Sequence, residues 1–139
     1  MMRRFTTVLT VLLGLFPLTF GTRFLFDGPA AAAGFGITAD AGGFFPVKGI
    51  RDIALGLVVL ALFALGQRRP TGIILAVMAI VPITDAIVVT THGGSLATAL
   101  LIHALTAAVM LADAALLLRE PAQSPESAHL RGATASQGQ

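Results

Sequence analysis

Four stretches of the chain are apolar over about 20 residues, and short polar or turn-forming segments separate them. They cover residues 5–22, 46–66, 70–91 and 97–118. An α-helix needs about 20 mainly apolar residues to cross a hydrocarbon layer that is about 30 Å thick. The pattern therefore predicts an all-α integral membrane protein, a four-helix bundle formed by one domain over residues 1–118.

The connections between these predicted spans differ in length. A tight turn at residues 67–69 makes spans two and three an antiparallel hairpin. The longer loop between spans one and two is rich in Gly, Ala and Phe. Gly28 and Pro29 suit a helix start and Gly34 suits a helix stop, which predicts a short interfacial helix over residues 29–33. A lid over a cavity is the alternative for this segment.

The composition of the two ends of the chain predicts whether each is a membrane span, a cleaved signal or a tail. The leader Met-Met-Arg-Arg, the apolar core and the alanines at residues 30–33 have the parts of a secretory signal. Arg23 and Asp27 interrupt that arrangement, which favours an uncleaved first span. Residues 119–139 are polar and carry Pro, Ser and Gly, so they are predicted to form a disordered cytoplasmic tail.

The distribution of basic residues predicts the orientation. With a cytoplasmic amino terminus, six Arg fall inside the cell and three basic residues fall outside, the latter being Arg23, Lys48 and Arg51. Cytoplasmic loops carry the excess of Lys and Arg in membrane proteins. We therefore expect a multi-pass protein of the cell membrane with both termini in the cytoplasm.

The composition limits the classes of partner that the chain can have. The chain has 139 residues, of which 55% are hydrophobic and 12% are charged, so the lipid bilayer is the predicted surrounding. Nucleic acid is excluded because no dense basic face with interleaved aromatic residues is present. Gly49 and Gly56 share a helix face with Asp52, and small residues allow close helix packing. That face fits a homo-oligomer, another membrane protein, or a neighbouring helix of the same chain.

Ionisable residues inside the apolar spans are the candidate site. An aspartate near the middle of a span, such as Asp85, costs about 2.5–3.5 kcal/mol to insert, so it needs a polar partner. Arg51 and Asp52 begin span two, and Asp85 and His103 each lie about six residues from the outer end of their spans. With a rise of about 1.5 Å per residue, the four side chains reach one level of the outer leaflet.

A secondary polar stripe runs down span four. His103, Thr106, Met110 and Asp113 are spaced by three, four and three residues, which places them on one helix face. Asp113 lies near the inner end, where Arg68, Arg69 or Arg119 is expected to neutralise it. In span three, Pro82 predicts a bend because it leaves the carbonyl near Met78 without its usual donor.

Several functions fit these features. The sequence favours a noncatalytic scaffold or accessory subunit in which the cluster Arg51, Asp52, Asp85 and His103 ties helices together. The alternative is a binder or carrier of a small molecule or proton that uses this cluster. A membrane enzyme that acts on a lipid or quinone is third. No catalytic residue, metal site or cofactor is predicted, because the chain has no cysteine, no HExxH and no GxSxG motif.

Five short motifs, taken in order, resemble the domain of unknown function family 4267. They are PAAAAGFGI, KGIRDIALGL, RRP, PITDA and ALLIHAL, and the likeness covers about residues 5–118. The resemblance implies a compact four-helix membrane bundle related to the DoxX-like group, and it implies no activity. It singles out the same four polar residues that the depth argument reached.

Overall fold

The chain is helical almost throughout the part that the structure describes, which is residues 1–37 and 43–120 of a computed structural model. No strand occurs in those two ranges, so the all-α prediction is confirmed. Residues 121–139, most of the predicted disordered tail, lie outside the described residues. The helical segments are α1 Met2–Phe26, α2 Gly28–Phe35, α3 Phe44–Ala64, α4 Arg68–Met78, α5 Ile80–Thr91, α6 Leu96–Thr98, a π-helical segment Ala99–Ala104, and α7 Leu105–Arg119.

Three helical stretches within the described residues are long and apolar enough to cross a membrane. They are Met2–Phe26, Arg68–Thr91 and Leu96–Arg119. Their outer surfaces carry large apolar side chains that are more than half exposed, among them Phe5, Leu12, Ile73, Ile87 and Leu101. Apolar surface of this extent needs a nonaqueous surrounding, and it indicates a membrane protein.

Helices α1 and α3 pack antiparallel through glycines. A Cβ atom on Gly21 would lie 2.5 Å from the carbonyl oxygen of Gly49, and one on Gly49 would lie 2.7 Å from that of Gly21. Gly14 and Gly56 make a second such approach further along the pair. The glycine face of span two is therefore used inside the chain.

The other half of the bundle is formed by α4, α5, the π-helical segment and α7. Helix α4 packs on α7, where Gly72 meets the carbonyl of Ala114 and the side chain of Leu117. Leu117 and Leu75 are fully buried there beside Val59 of α3. These contacts connect the two halves at the end that holds the amino terminus and the start of α4.

The helix over residues 68–91 is interrupted close to Pro82, where the sequence predicts a bend. Helix α4 ends at Met78, α5 begins at Ile80, and Ala79 lies between them. Pro82 has no N–H to donate to the carbonyl of Met78, which breaks the regular hydrogen-bond pattern at this turn. Met78 and Pro82, on either side of the interruption, line a cavity.

The short helix in the first loop forms, but its ends differ from the prediction. The carboxylate of Asp27, rather than Gly28, caps it by accepting a hydrogen bond from the N–H of Ala30 at 3.3 Å. It continues through Gly34 and stops at Gly36, whose φ of 104° is the left-handed conformation that glycine adopts at helix ends. Aspartate is a stronger cap than glycine because its side chain satisfies a free N–H.

Helix α2 packs across one end of the bundle. Its buried residues Ala31, Ala32 and Phe35 belong to a core cluster with Phe24 of α1 and Val89 of α5. This packing covers that end of the bundle, and Phe35 also reaches the cavity. The fold thus places α2 where it can form part of a cavity wall.

Candidate functional site

A cavity lies among α1, α3, α5 and the helix that carries His103. Its volume is about 90 Å³, and it opens to the surface beside Phe16 and Val81, whose side chains are exposed. A single buried water needs about 10–15 Å³, so the cavity has room for several waters or for part of a small organic molecule. Most of the wall is apolar, and the polar side chains in it are Lys48, Asp52, Asp85, His103 and Thr106.

Asp85 of α5 lies in this wall and is partly buried. Its charged or titratable neighbours are Lys48, His103 and Asp52. No hydrogen bond or ion pair joins its carboxylate to any side chain or backbone group within residues 1–37 and 43–120. Asp85 is thus an acceptor in an apolar wall without a donor from the described protein.

Lys48 and Asp52 form an ion pair one helical turn apart on α3. The distance from Lys48 Nζ to Asp52 Oδ2 is 3.0 Å. The same ammonium lies 5.1 Å from the ring centre of Phe24 and 5.0 Å from that of Phe35. Cation–π contact adds to the charge pairing, so the Lys48 charge is already compensated by the protein.

Arg51, which the sequence analysis places in the cluster, is exposed and is not among the described residues that line the cavity. Adjacent residues on a helix point about 100° apart, so with Asp52 facing inward Arg51 turns to the outside. Lys48 takes its place because residues four apart share a helix face. That spacing of Lys and Asp is the sequence signal that could have identified Lys48.

His103 is buried, with 5% of its surface exposed, and its tautomer follows from its partner. Its Nε2 atom lies 2.8 Å from the carbonyl oxygen of Phe35. A carbonyl only accepts, so Nε2 donates, and Nδ1 keeps a lone pair when the ring is neutral. The bond also joins α2 to the π-helical segment, a type of helix distortion frequent at functional sites.

The two residues of the secondary stripe lie in different places. Thr106 is partly buried in the cavity wall, and its hydroxyl donates to the carbonyl oxygen of Ile102 at 2.5 Å. Asp113 is fully buried near the opposite end of the bundle, away from the cavity. Its Oδ2 lies 2.6 Å from the hydroxyl of Thr10, and its Oδ1 has no partner within the described ranges.

Arg68 does not pair directly with Asp113. It forms an ion pair with Glu120, in which Nη2 donates to Oε1 at 2.7 Å, and it also donates to the hydroxyl of Thr6 at 2.6 Å. The hydrogen bond from Arg68 lowers the pKa of Glu120 below its ordinary value. Thr10 is therefore the direct partner of Asp113, and the four-residue spacing of Thr6 and Thr10 was its only sequence signal.

The described residues offer little for a metal ion. Within residues 1–37 and 43–120 no three His, Asp or Glu side chains lie close enough together to hold one. The polar groups in the cavity are instead one cation, Lys48, which Asp52 already pairs, and several hydrogen-bond acceptors. This arrangement suits recognition of a small molecule by charge and hydrogen bonds.

Fold and cavity together define a small α-helical membrane protein with a partly polar cavity between its helices. Residues 14–117 match the family described as domain of unknown function (DUF4267), and the chain belongs to this family. The predicted resemblance is therefore confirmed, while the relationship to the DoxX-like group stays a prediction. No curated protein and no solved structure matches the chain. The family's description carries no activity.

Proposed function

We propose that this chain is a multi-pass membrane protein that binds a small, mostly apolar molecule in the cavity beside Asp85. The observation that carries the proposal is a carboxylate in an apolar wall with no donor from residues 1–37 and 43–120. In a purely structural cluster, as in the scaffold or accessory subunit favoured by sequence, Asp85 would be expected to bond a neighbouring helix. A bound molecule would supply that missing partner.

The binding mode follows from the walls. Phe16, Phe20 and Val81 offer apolar surface, while Asp85 and His103 offer polar atoms on the same cavity. Burying apolar area contributes about 25 cal/mol per Å², and the few polar atoms orient the molecule. A molecule with an apolar body and one polar group fits both parts of the site.

In the proposed architecture four helical stretches cross the bilayer, α3 being the fourth beside the three long apolar ones. Helix α3 follows α1 antiparallel, and residues 53–64 carry no charge. Its Lys48, Arg51 and Asp52 lie near one end, where a long basic side chain can reach the membrane surface. Helix α2 is proposed to lie at that surface, and the distribution of Arg and Lys supports cytoplasmic termini.

The orientation is testable because the chain has no cysteine. Gln67→Cys and Ser95→Cys each introduce a single thiol into a different connection between helices. A membrane-impermeant maleimide added to intact cells is expected to label the cysteine at position 95 and to spare the one at position 67 until the cells are opened. The reverse pattern would contradict cytoplasmic termini.

Native mass spectrometry of protein extracted in mild detergent tests the binding proposal. Val81→Phe fills part of the cavity, whereas Ile83→Phe adds the same ring at a residue outside the described cavity wall. The two positions are similarly exposed, at 40% and 44%. We expect a small molecule to copurify with wild type and with the control at position 83, and to be lost with Val81→Phe. No bound mass on wild type, or equal occupancy in all three proteins, would refute the proposal.

A further inference from the structure

We propose that the molecule bound in the cavity is a primary amine, protonated and carried on a compact apolar body. This inference rests on the proposed binding function and adds the chemical class of the ligand. It comes from the charges and hydrogen-bonding directions of one cavity, which select the head group, and from the apolar wall of that cavity, which selects the body.

The charges in the wall do not balance. Lys48 contributes one positive charge, and Asp52 and Asp85 contribute two negative charges when ionised, which leaves one negative charge with His103 neutral. Asp52 lies 3.0 Å from Lys48 and compensates it, so the excess belongs to Asp85. A carboxylate in a poorly solvated site needs a counter-charge, and a ligand cation provides one.

Apart from Lys48, whose ammonium already pairs with Asp52, the polar side chains of the wall near Asp85 have only hydrogen-bond acceptors left. The N–H of His103 is taken by the carbonyl of Phe35 and the hydroxyl proton of Thr106 by that of Ile102. The neutral ring of His103, the hydroxyl of Thr106 and the carboxylate of Asp85 therefore have only lone pairs left, which accept hydrogen bonds. A ligand that bonds these three groups must therefore donate, and an ammonium group has three N–H donors and no acceptor.

The apolar part of the wall selects the body of the ligand. Phe16, Phe20 and Phe35 contribute aromatic surface, and Met78 and Met110 contribute flexible apolar surface. Aromatic faces attract cations, as the position of Lys48 over the rings of Phe24 and, in this wall, Phe35 shows. A cavity of about 90 Å³ limits the enclosed part of the body to about one ring, and its opening beside the exposed Phe16 and Val81 leaves space for the rest of the ligand.

Other head groups fit less well. A carboxylate would face Asp85 without a free cation among the described wall residues, because Lys48 is paired. An alcohol would donate one hydrogen bond and leave the charge of Asp85 uncompensated. The expected order of affinity for one common body is therefore amine, then alcohol, then carboxylate.

Benzylamine, benzyl alcohol and benzoate share one ring and differ in the head group, so they test this order. Each is titrated at neutral pH against the full chain in lipid nanodiscs, and specific binding is the part removed by Val81→Phe. We expect benzylamine to bind at least tenfold more tightly than benzyl alcohol, and benzoate to bind most weakly. Asp85→Asn should abolish the preference for the amine, while Asp27→Asn, a carboxylate outside the described cavity wall, should keep it.

The outcomes separate the two proposals. Equal binding of amine and alcohol, or a preference for the amine that survives Asp85→Asn, would overturn the inference and leave a binding cavity. Absence of specific binding by all three probes would overturn both. Should Asp85→Asn fail to fold, Thr106→Val removes one acceptor with little change in shape; it should reduce the preference for benzylamine over benzyl alcohol, and an unchanged ratio would count against the inference.

Discussion

A methyl group at Gly49 tests the packing that holds two walls of the cavity together. In Gly49→Ala the new Cβ would lie 2.7 Å from the carbonyl oxygen of Gly21, whereas ordinary contacts begin at about 3.4 Å. The neighbouring atom belongs to the backbone of a helix and cannot rotate away. The two helices must therefore separate locally by about 0.7 Å, the difference between those distances.

The cost of that separation follows from known packing energies. Forcing extra atoms into a well-packed contact typically costs about 1–3 kcal/mol. Replacing a helical glycine by alanine returns about 0.5–1 kcal/mol through backbone entropy. Gly49→Ala should therefore lower the free energy of unfolding by about 1–2 kcal/mol. It should also widen the cavity, because α1 and α3 both line it.

Unfolding by denaturant in mild detergent measures the effect, and Gly34→Ala is the matched control. Gly34 is also helical, but a methyl there would lie 3.9 Å from Arg23 Nη2, which is an ordinary distance. We expect the control to be as stable as wild type or slightly more stable. If Gly49→Ala is as stable as the control, the close approach of α1 and α3 through glycines is wrong.

Variants at three further positions probe the polar contacts. His103→Leu removes the donor to the carbonyl of Phe35 and should cost about 1–3 kcal/mol, with faster hydrogen–deuterium exchange in α2 than in wild type. The bond from Arg68 lowers the pKa of Glu120 in the folded protein below its ordinary value of 4.5. At acid pH the unfolded state therefore binds more protons than the folded state, so the free energy of unfolding should fall as the pH drops from 4.5 through the lowered pKa. Glu120→Gln should reduce this loss of stability at acid pH, which amounts to on the order of 1 kcal/mol or less. Asp113→Asn should be more stable in denaturant than Asp113→Ala by about 1–2 kcal/mol, because an amide keeps the hydrogen bond to helix α1 and fills the same space.

Each of these variants has a result that counts against it. Unchanged exchange in α2 after His103→Leu would mean that the bond to Phe35 does not hold this helix in place. If the free energy of unfolding falls equally steeply with acid pH in wild type and in Glu120→Gln, the loss of stability comes from other carboxylates. Equal stability of the two variants at position 113 would show that the buried contact with Thr10 contributes nothing measurable.

The height of the polar residues could be predicted from sequence, and three of the four do line one cavity. Asp52, Asp85 and His103 share a level because helix rise and short turns determine depth along the bundle. The rotation of α3 about its own axis depends on its packing against α1, which a single sequence does not encode locally. That is why Arg51 was expected in the cluster and Lys48 was found there.

Partners across the bundle were the least predictable feature. Three arginines near the inner end were candidates for Asp113, yet its direct partner is Thr10, more than a hundred residues away in sequence. The π-helical segment around His103 has no pattern of its own and changes which residues face inward after it. For α2, two glycines were available as the stop, and packing of Phe35 into the core extends the helix to the second.

A crystal structure of the chain grown from a lipid phase, with the molecule that copurifies, would test the central claim most directly. The account predicts nonprotein density in the cavity, with a donor atom within hydrogen-bond distance of the carboxylate of Asp85 and an apolar body against Phe16 and Phe20. A cavity filled by the chain's own side chains, with Asp85 bonded to a protein donor, would contradict it.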